Sequence, residues 1–283
     1  LTFSKDKGHK NIEYDNLVIA TGTEARLMAK ENPNLQGIHY LRSIDDVEMI
    51  KSSLKGSKNM VIIGGGYIGL EVAAVANTLG LNVTVVEMAS RILERVTSPT
   101  ISSFYNSFHE SRGVKILTNT LVKGINGDNR VSSVETSSGS IEADIVIVGI
   151  GVLPCQALAE DAGVKVDNGI IVDEFCKTSD DYIFSAGDCT LHPSHFYNKN
   201  IRLESVHNAI EQGKTVASSI VGEKVSYNQI PWFWSDQYEL KLQIAGLNND
   251  YDEYVIRGNL DENSFSVFYF KSGYMIASDC INS

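Results

Sequence analysis

The run Gly64-Gly65-Gly66-Tyr67-Ile68-Gly69 spells G-x-G-x-x-G. A turn of this kind lays backbone N–H groups against a pyrophosphate. Its first glycine permits the tight bend, its second lets the backbone approach the ligand, and its third lets a helix pack on a strand. The motif is weak alone and gains force from its neighbours. Met60-Val61-Ile62-Ile63, just before it, reads as a strand with both faces covered. Residues 67–79 read as a helix with Gly80 at its C-terminal cap, and residues 83–86 as a second strand that ends at Glu87. Together they make a βαβ unit of about thirty residues, the setting a dinucleotide site requires. Glu87 is placed to accept hydrogen bonds from the adenosine ribose hydroxyls and to repel a 2′-phosphate. NADH is therefore expected over NADPH, although Arg91 and Arg95 follow and leave some tolerance for phosphate.

Other strand ends carry weaker signals. Ala20-Thr21-Gly22 closes one apolar run, Ala186-Gly187-Asp188 another, and Gly149-Ile150-Gly151 a third. Ligands of an α/β sheet sit at such carboxyl ends, yet a glycine there is more often only a turn. Trp232 and Trp234 are two apart, so an extended chain points both to one face, as ligand contacts or as the aromatic core of a small sheet. His192, His195 and His207 fit no zinc spacing, and Cys155, Cys176, Cys189 and Cys280 form no C-x-x-C. No acid–base pair or nucleophilic triad stands out.

The elements that must position these residues follow from periodicity. The chain has 283 residues, 43% of them apolar and 21% charged, which predicts a soluble protein of more than one domain. No apolar run reaches the length of a membrane span, and the reduced-cysteine pattern suits the cytoplasm. The net charge of −11 argues against general binding to nucleic acid or an anionic membrane. Residues 1–3 and 12–14 read as short strands, 17–22 as a buried strand with its turn, and 23–43 as a loop. A helix is expected over 44–54, capped by Ser43 with Asp46, and others over 104–111, 156–161 and 206–221. In the last of these Val206, Ile210, Gly213, Ala217 and Ile220 line one apolar face. Residues 114–142 read as short strands, 145–148, 170–172 and 183–186 as further strands, and residues from 231 onward as a separate small antiparallel sheet.

The succession A-T-G, G-G-G-Y-I-G-L-E, V-V-E-x-x-x-R-I-L and A-G-D-C resembles the FAD-dependent pyridine-nucleotide oxidoreductases. Arg202-Leu203-Glu204-Ser205-Val206, Glu211-Gln212-Gly213 and Pro231-Trp232-Phe233-Trp234-Ser235-Asp236-Gln237-Tyr238 narrow the likeness. They resemble the putidaredoxin-, rhodocoxin- and rubredoxin-reductase-like ferredoxin reductases that serve bacterial oxygenases. The resemblance implies an α/β fold: two Rossmann-like, three-layer domains for FAD and NAD(P), and a small α+β C-terminal domain. It divides the chain into FAD-domain parts at 1–40 and 161–225, an NAD(H) domain at 41–160 and the C-terminal domain at 226–283. It places Ala20, Thr21, Gly22, Arg26, Asp188 and the helix start at Ser205 and Val206 against FAD. It brings Gly64, Gly66, Tyr67, Ile68, Gly69, Glu87 and Arg95 to NADH, Gly149, Ile150 and Gly151 to the nicotinamide side, and Glu71 to the nicotinamide carboxamide, where the plainer reading is a polar residue on an outer helix face. One of Trp232 and Trp234 would stand beside the isoalloxazine ring.

The implied activity is transfer of hydride from NADH to FAD and of single electrons to a small iron–sulfur partner of the ferredoxin or rubredoxin type. Lys199, Arg202, Lys214, Lys224 and Lys241 are candidate docking charges. The alternatives are a flavin reductase of a small acceptor such as monodehydroascorbate or oxygen, and a flavoprotein resembling apoptosis-inducing factor that acts through partner binding. The family begins with a first Gly-rich FAD loop that this chain lacks, and the chain starts without Met. A piece cut at both ends is therefore expected, with weak FAD binding and a tendency to aggregate.

Overall fold

A computed structural model describes residues 2–5, 8–28 and 35–283. The chain forms two compact units, Leu1–Glu24 with Leu153–Trp232, and Ala25–Val152 with Phe233–Ser283.

The second unit is built on a parallel five-stranded sheet in the order Ile38–Tyr40, Ile145–Val148, Asn59–Ile63, Asn82–Val86, Lys115–Leu117. The strand Asn59–Ile63 is central, and the chain runs first to one side of it and later to the other. That reversal opens a crevice at the carboxyl ends of Asn59–Ile63 and Ile145–Val148. Helix α1 (Ile44–Ser53) starts at a capping box between Ser43 and Asp46. Helix α2 (Tyr67–Thr78) follows the glycine turn; Gly80 takes φ 88°, and the Leu81 N–H returns to the Ala76 carbonyl at 3.1 Å to close the helix. Helix α3 (Pro99–Ser111) starts earlier than periodicity predicts, because Ser98 caps it and Pro99 occupies its first turn.

An antiparallel sheet ends the chain, in the order Trp232–Gln237, Leu240–Gly246, Tyr274–Ile281, Ser264–Lys271, Glu253–Asn259. Along Leu240–Gly246 every second residue is buried. Leu240, Leu242, Phe265 and Val267 join Ile62, Leu70, Val85 and Ile101 in one apolar cluster, so this sheet and the parallel sheet share a core. Each such side chain contributes roughly 2 kcal/mol by leaving water.

In the first unit the strands Leu17–Ile19 and Ile183–Ser185 pair in parallel. Helix α4 (Ala157–Asp161) and helix α5 (Val206–Ile220) belong to the same unit. Among the described residues no helix is long and apolar enough to cross a membrane.

Three expectations need correction. The first hairpin pairs Thr2–Lys5 with Gly8–Asn11 instead of residues 12–14; the turn between them lies outside the described residues. The stretch 23–43, expected as loop, contains strands at Thr23–Ala25 and Ile38–Tyr40. Ile38–Tyr40 is extended because it pairs with Ile145–Val148, a partner far away in sequence.

The third correction is the orientation of α5. Val206, Ile210 and Ile220 are exposed, while Asn208, Gln212, Thr215 and Val216 are buried. The polar face turns inward because its two amides, Asn208 and Gln212, find partners. Gln212 Oε1 accepts from the Gly187 N–H at 2.7 Å and the Thr190 hydroxyl at 2.8 Å, and its Nε2 lies 3.0 Å from His192 Nδ1. Asn208 Oδ1 accepts from the Tyr227 hydroxyl at 2.8 Å. Replacing Gln212 by Leu is expected to cost about 3 kcal/mol, since it strands the buried Gly187 N–H and His192 Nδ1, while the Thr190 hydroxyl keeps the Gly187 carbonyl. Ile210→Ser is expected to change stability by less than about 0.5 kcal/mol. Thermal unfolding checks both; the reverse ranking would restore the apolar-face assignment.

Candidate dinucleotide site

The glycine turn leaves the central strand at the crevice. The Gly64 N–H donates to the Val86 carbonyl at 2.9 Å, which ties the turn to the neighbouring strand. Gly64 takes φ 108°, and a Cβ on it would collide with the Gly149 carbonyl; a Cβ on Gly69 would collide with the Gly64 carbonyl. No side chain fits at either position. Gly66 differs: it is extended, caps α2 without a side chain, and has nothing within 4 Å of a Cβ position. The first intrahelical bond runs from the Leu70 N–H to the Gly66 carbonyl at 3.0 Å. The N–H groups that begin α2 at Tyr67 and Ile68 thus precede the helical ladder and carry the positive end of its dipole.

Glu87 is held rigidly. Its Oε2 accepts from the Gly65 N–H and its Oε1 from the Ala89 N–H, each at 2.7 Å. A carboxylate has about four lone-pair directions, so both oxygens keep one for ribose hydroxyls. Arg91 is engaged elsewhere: its guanidinium donates to the carbonyls of Thr97 and Glu94, each at 3.0 Å. Arg95 is exposed, and its Nη2 lies 3.9 Å from a Cβ position on Gly151. Across the crevice the Gly149 N–H donates to Ile63 at 2.8 Å, and the Gly151 carbonyl accepts from the Arg26 N–H at 3.0 Å. Ile150 packs beside the cluster that holds Ile63 and Val148.

Glu71 lies one helical turn beyond Tyr67. It is half-buried rather than outward-facing, and accepts from the Ser235 hydroxyl at 2.6 Å. Burial pushes its carboxyl above the usual range, while the Ser235 hydroxyl and the Asp236 N–H pull it back. Along Trp232–Gln237, Trp232 and Trp234 are exposed (37% and 44%), whereas Ser235 and Gln237 are buried. Both tryptophans therefore lie outside the core, and Trp232 packs edge-on to His207 with ring centroids 6.2 Å apart.

In the first unit, Ala20, Thr21 and Gly22 follow Leu17–Ile19, and Gly187 and Asp188 follow Ile183–Ser185. Both loops are braced. The Thr21 hydroxyl donates to the Cys155 carbonyl at 2.5 Å, the Cys155 N–H to Gly22 at 2.9 Å, and Gln212 holds Gly187. Ser205 caps α5 by accepting from the Asn208 N–H at 3.1 Å, next to the exposed Val206. Arg26 belongs to the other unit. Among the described residues no three His, Cys, Asp or Glu side chains are grouped to hold a metal.

Ser235 and Gln237 enter the sequence reading only as part of the segment from Pro231 to Tyr238, with no role of their own. Their signal was polar residues at the inward parity of the W-F-W-S-D-Q strand. Asp279, which is wholly buried, has no place in that reading. Asp279 Oδ2 accepts from the Tyr269 hydroxyl at 2.6 Å, while its Oδ1 and the hydroxyls of Tyr67 and Tyr105 have no hydrogen-bond partner. Burial pushes the Asp279 carboxyl up to about 7.

Fold and site together define an α/β oxidoreductase fold with a pyridine-nucleotide turn. The chain belongs to the pyridine nucleotide-disulphide oxidoreductase family, whose profile matches residues 1–213; a reductase C-terminal profile matches residues 232–283. It is 44% identical to rhodocoxin reductase of Rhodococcus erythropolis over 96% of this chain and 64% of that protein. It superposes on the ferredoxin reductase of the CYP199A2 system from Rhodopseudomonas palustris with a TM-score of 0.93 at 41% identity, covering 96% of this chain and 68% of that one. It superposes on the reductase of the covalent putidaredoxin reductase–putidaredoxin complex with a TM-score of 0.91 at 40% identity, covering 98% and 68%. The chain thus spans about two thirds of the length of these relatives.

Membership implies FAD and NAD(H) as cofactors. The residues fit NAD(H): open space at Gly66, helix-start N–H groups and spare lone pairs on Glu87 are the features a pyrophosphate and a ribose require. The braced strand-end loops at Ala20, Thr21 and Gly22 and at Gly187 and Asp188 fit a ligand at the carboxyl end of their sheet.

Two predictions follow from this geometry. Gly66→Ala is expected to leave stability within about 0.5 kcal/mol yet raise the Kd for NADH about tenfold or more, by filling the approach to the helix start. Titration of purified variants with NADH checks it, and an unchanged Kd would remove Gly66 from the site. The second concerns Asp279. An unfolded carboxyl titrates near 3.9, so between about 4 and 7 the folded chain holds the extra proton, and the contribution of this group falls as pH rises through that window. Asp279→Asn is expected to flatten the slope and to stabilise the protein at pH 8 by on the order of 2 kcal/mol. Unfolding curves from pH 5 to pH 8 that stay parallel in both proteins would contradict it.

Proposed function

We propose that the polypeptide is an NADH-dependent flavoprotein reductase that delivers electrons to a small iron–sulfur protein of the ferredoxin or rubredoxin type. The observation that carries the NADH part is Glu87, fixed by two backbone N–H groups at the end of Asn82–Val86. A carboxylate so held suits two ribose hydroxyls and opposes a 2′-phosphate. Arg91, spent on backbone carbonyls, offers that phosphate nothing.

The acceptor part is supported by relatives named as reductases of rhodocoxin and of putidaredoxin, the latter seen covalently joined to its partner. FAD, when bound, supplies the conversion of a two-electron donor into single electrons. In this reading Ala20, Thr21, Gly22, Arg26, Asp188, Ser205 and Val206 hold FAD. Gly64, Gly66, Tyr67, Ile68, Gly69, Glu87 and Arg95 hold NADH; Gly149, Ile150, Gly151 and Glu71 receive its nicotinamide end; and Trp232 and Trp234 border the flavin. These side chains bind and orient, and none serves as nucleophile.

Steady-state reduction of a purified ferredoxin tests the proposal. The expected result is kcat/KM at least about tenfold higher with NADH than with NADPH, and electron transfer to the iron–sulfur protein faster than to monodehydroascorbate or oxygen. A preference for NADPH would overturn the role of Glu87. Faster reduction of the small acceptors would overturn the partner.

A further inference from the structure

The most unusual buried feature of the second unit is a line of polar side chains that ends on Glu71. His109, Gln237 and Ser235 are each wholly buried. His109 Nε2 lies 2.8 Å from Gln237 Oε1, Gln237 Nε2 donates to Ser235 Oγ at 3.1 Å, and Ser235 donates to Glu71 Oε1 at 2.6 Å. The line joins α3, the first strand of the C-terminal sheet, and α2.

Its polarity follows from one charge. An ionised Glu71 can only accept, so Ser235 must donate to it. The single hydroxyl proton of Ser235 is then used, so Gln237 must present its amide N–H to Ser235 and its carbonyl to His109. His109 must then carry its proton on Nε2. Each bond points toward the carboxylate, an order in which neighbouring bonds strengthen one another. The reverse order needs a protonated Glu71 that donates to Ser235, a rotated Gln237 amide and a His109 proton on Nδ1. That Nδ1 is buried without a hydrogen-bond partner in either order, as an acceptor in the first and a donor in the second, so the charge on Glu71 is what selects the direction. Burial keeps His109 neutral and thus unable to donate from both nitrogens.

We propose that Ser235, Gln237 and His109 are positioning residues that hold Glu71 ionised and in one rotamer at the nicotinamide end of the dinucleotide site. The C-terminal sheet is then part of the nucleotide site, as the element that sets the charge of a residue on α2. The inference rests on the reading that Glu71 faces the nicotinamide. Asp236 also acts on Glu71 directly, its N–H favouring the ionised carboxyl and its like charge opposing it, and the charge of Glu71 reaches Tyr105 of α3.

Two measurements separate the proposal from the reading beneath it. The first follows the Glu71 carboxyl by 13C NMR in the full chain, with Glu71→Gln to assign the signal. Ser235→Ala and His109→Leu are expected to move its titration to higher pH. Ser235→Thr, which keeps a hydroxyl, is expected to restore it. An unmoved titration in Ser235→Ala, with the fold intact by amide spectra, overturns the proposal. The second is the Kd for NADH at pH 7. Ser235→Ala is expected to raise it about tenfold, the scale of one hydrogen bond to a charged group, and Ser235→Thr to leave it near the parent value. If Glu71→Gln itself leaves NADH binding unchanged, the nicotinamide reading of Glu71 fails, and with it the functional half of the proposal. If Glu71→Gln weakens binding and Ser235→Ala does not, the reading stands and the relay is overturned.

Discussion

Where Gly64 packs on Gly149 and Gly69 packs on Gly64, backbone meets backbone with no room for a Cβ atom on Gly64 or Gly69. This contact decides where the central strand ends, how α2 leaves it, and how near the strand Ile145–Val148 can come. The rest of the site inherits its coordinates from it. Gly65 is presented to Glu87, which closes the turn through its carboxylate. The Leu93 N–H returns to the Gly65 carbonyl at 2.8 Å, so the segment after Glu87 is fastened to the same turn. The result is a helix start with N–H groups directed outward and a carboxylate at a fixed distance from them. Those two features are what a ribose–pyrophosphate ligand recognises.

The same helix links the turn to the C-terminal sheet. Tyr67 and Glu71 are one turn apart on α2, so they share a face. That face meets a polar lining within an otherwise apolar core, with Ser235, Gln237 and His109 near Glu71 and Tyr105, Tyr269 and Asp279 electrostatically coupled to Tyr67. Buried polar groups cost stability unless each is satisfied. The first group is satisfied in series, down to one nitrogen of His109. The second leaves the hydroxyls of Tyr67 and Tyr105 and one oxygen of Asp279 without partners. The fold accepts that cost at the helix that carries the nucleotide turn.

Much of this was legible in the sequence where the cause is local. The glycine turn, the strand before it, the cap at Gly80 and the Ser43–Asp46 box each depend on neighbours a few residues away. The rest depends on partners remote in the chain. Ile38–Tyr40 becomes a strand because Ile145–Val148 lies beside it. Helix α5 buries Asn208 and Gln212 instead of Ile210 because Gly187, Thr190, His192 and Tyr227 supply hydrogen bonds at that face. Ser235 has no legible role within its own segment, since its meaning lies in Glu71, a residue of another element. Periodicity assigns faces by hydrophobicity, and it fails where satisfied polar groups make the better interior.

Titration of the 15N-labelled chain with NADH shows whether the dinucleotide binds at the turn from Gly64 to Gly69. Binding there is expected to move the amide resonances of Gly66, Tyr67 and Ile68 most and to protect them from exchange, with Gly65 and Ala89, the two tethers of Glu87, shifting alongside them. Largest shifts on Ala20, Thr21 and Gly22 or on Gly187 and Asp188, with the turn unmoved, would place the dinucleotide elsewhere and remove the turn from the site.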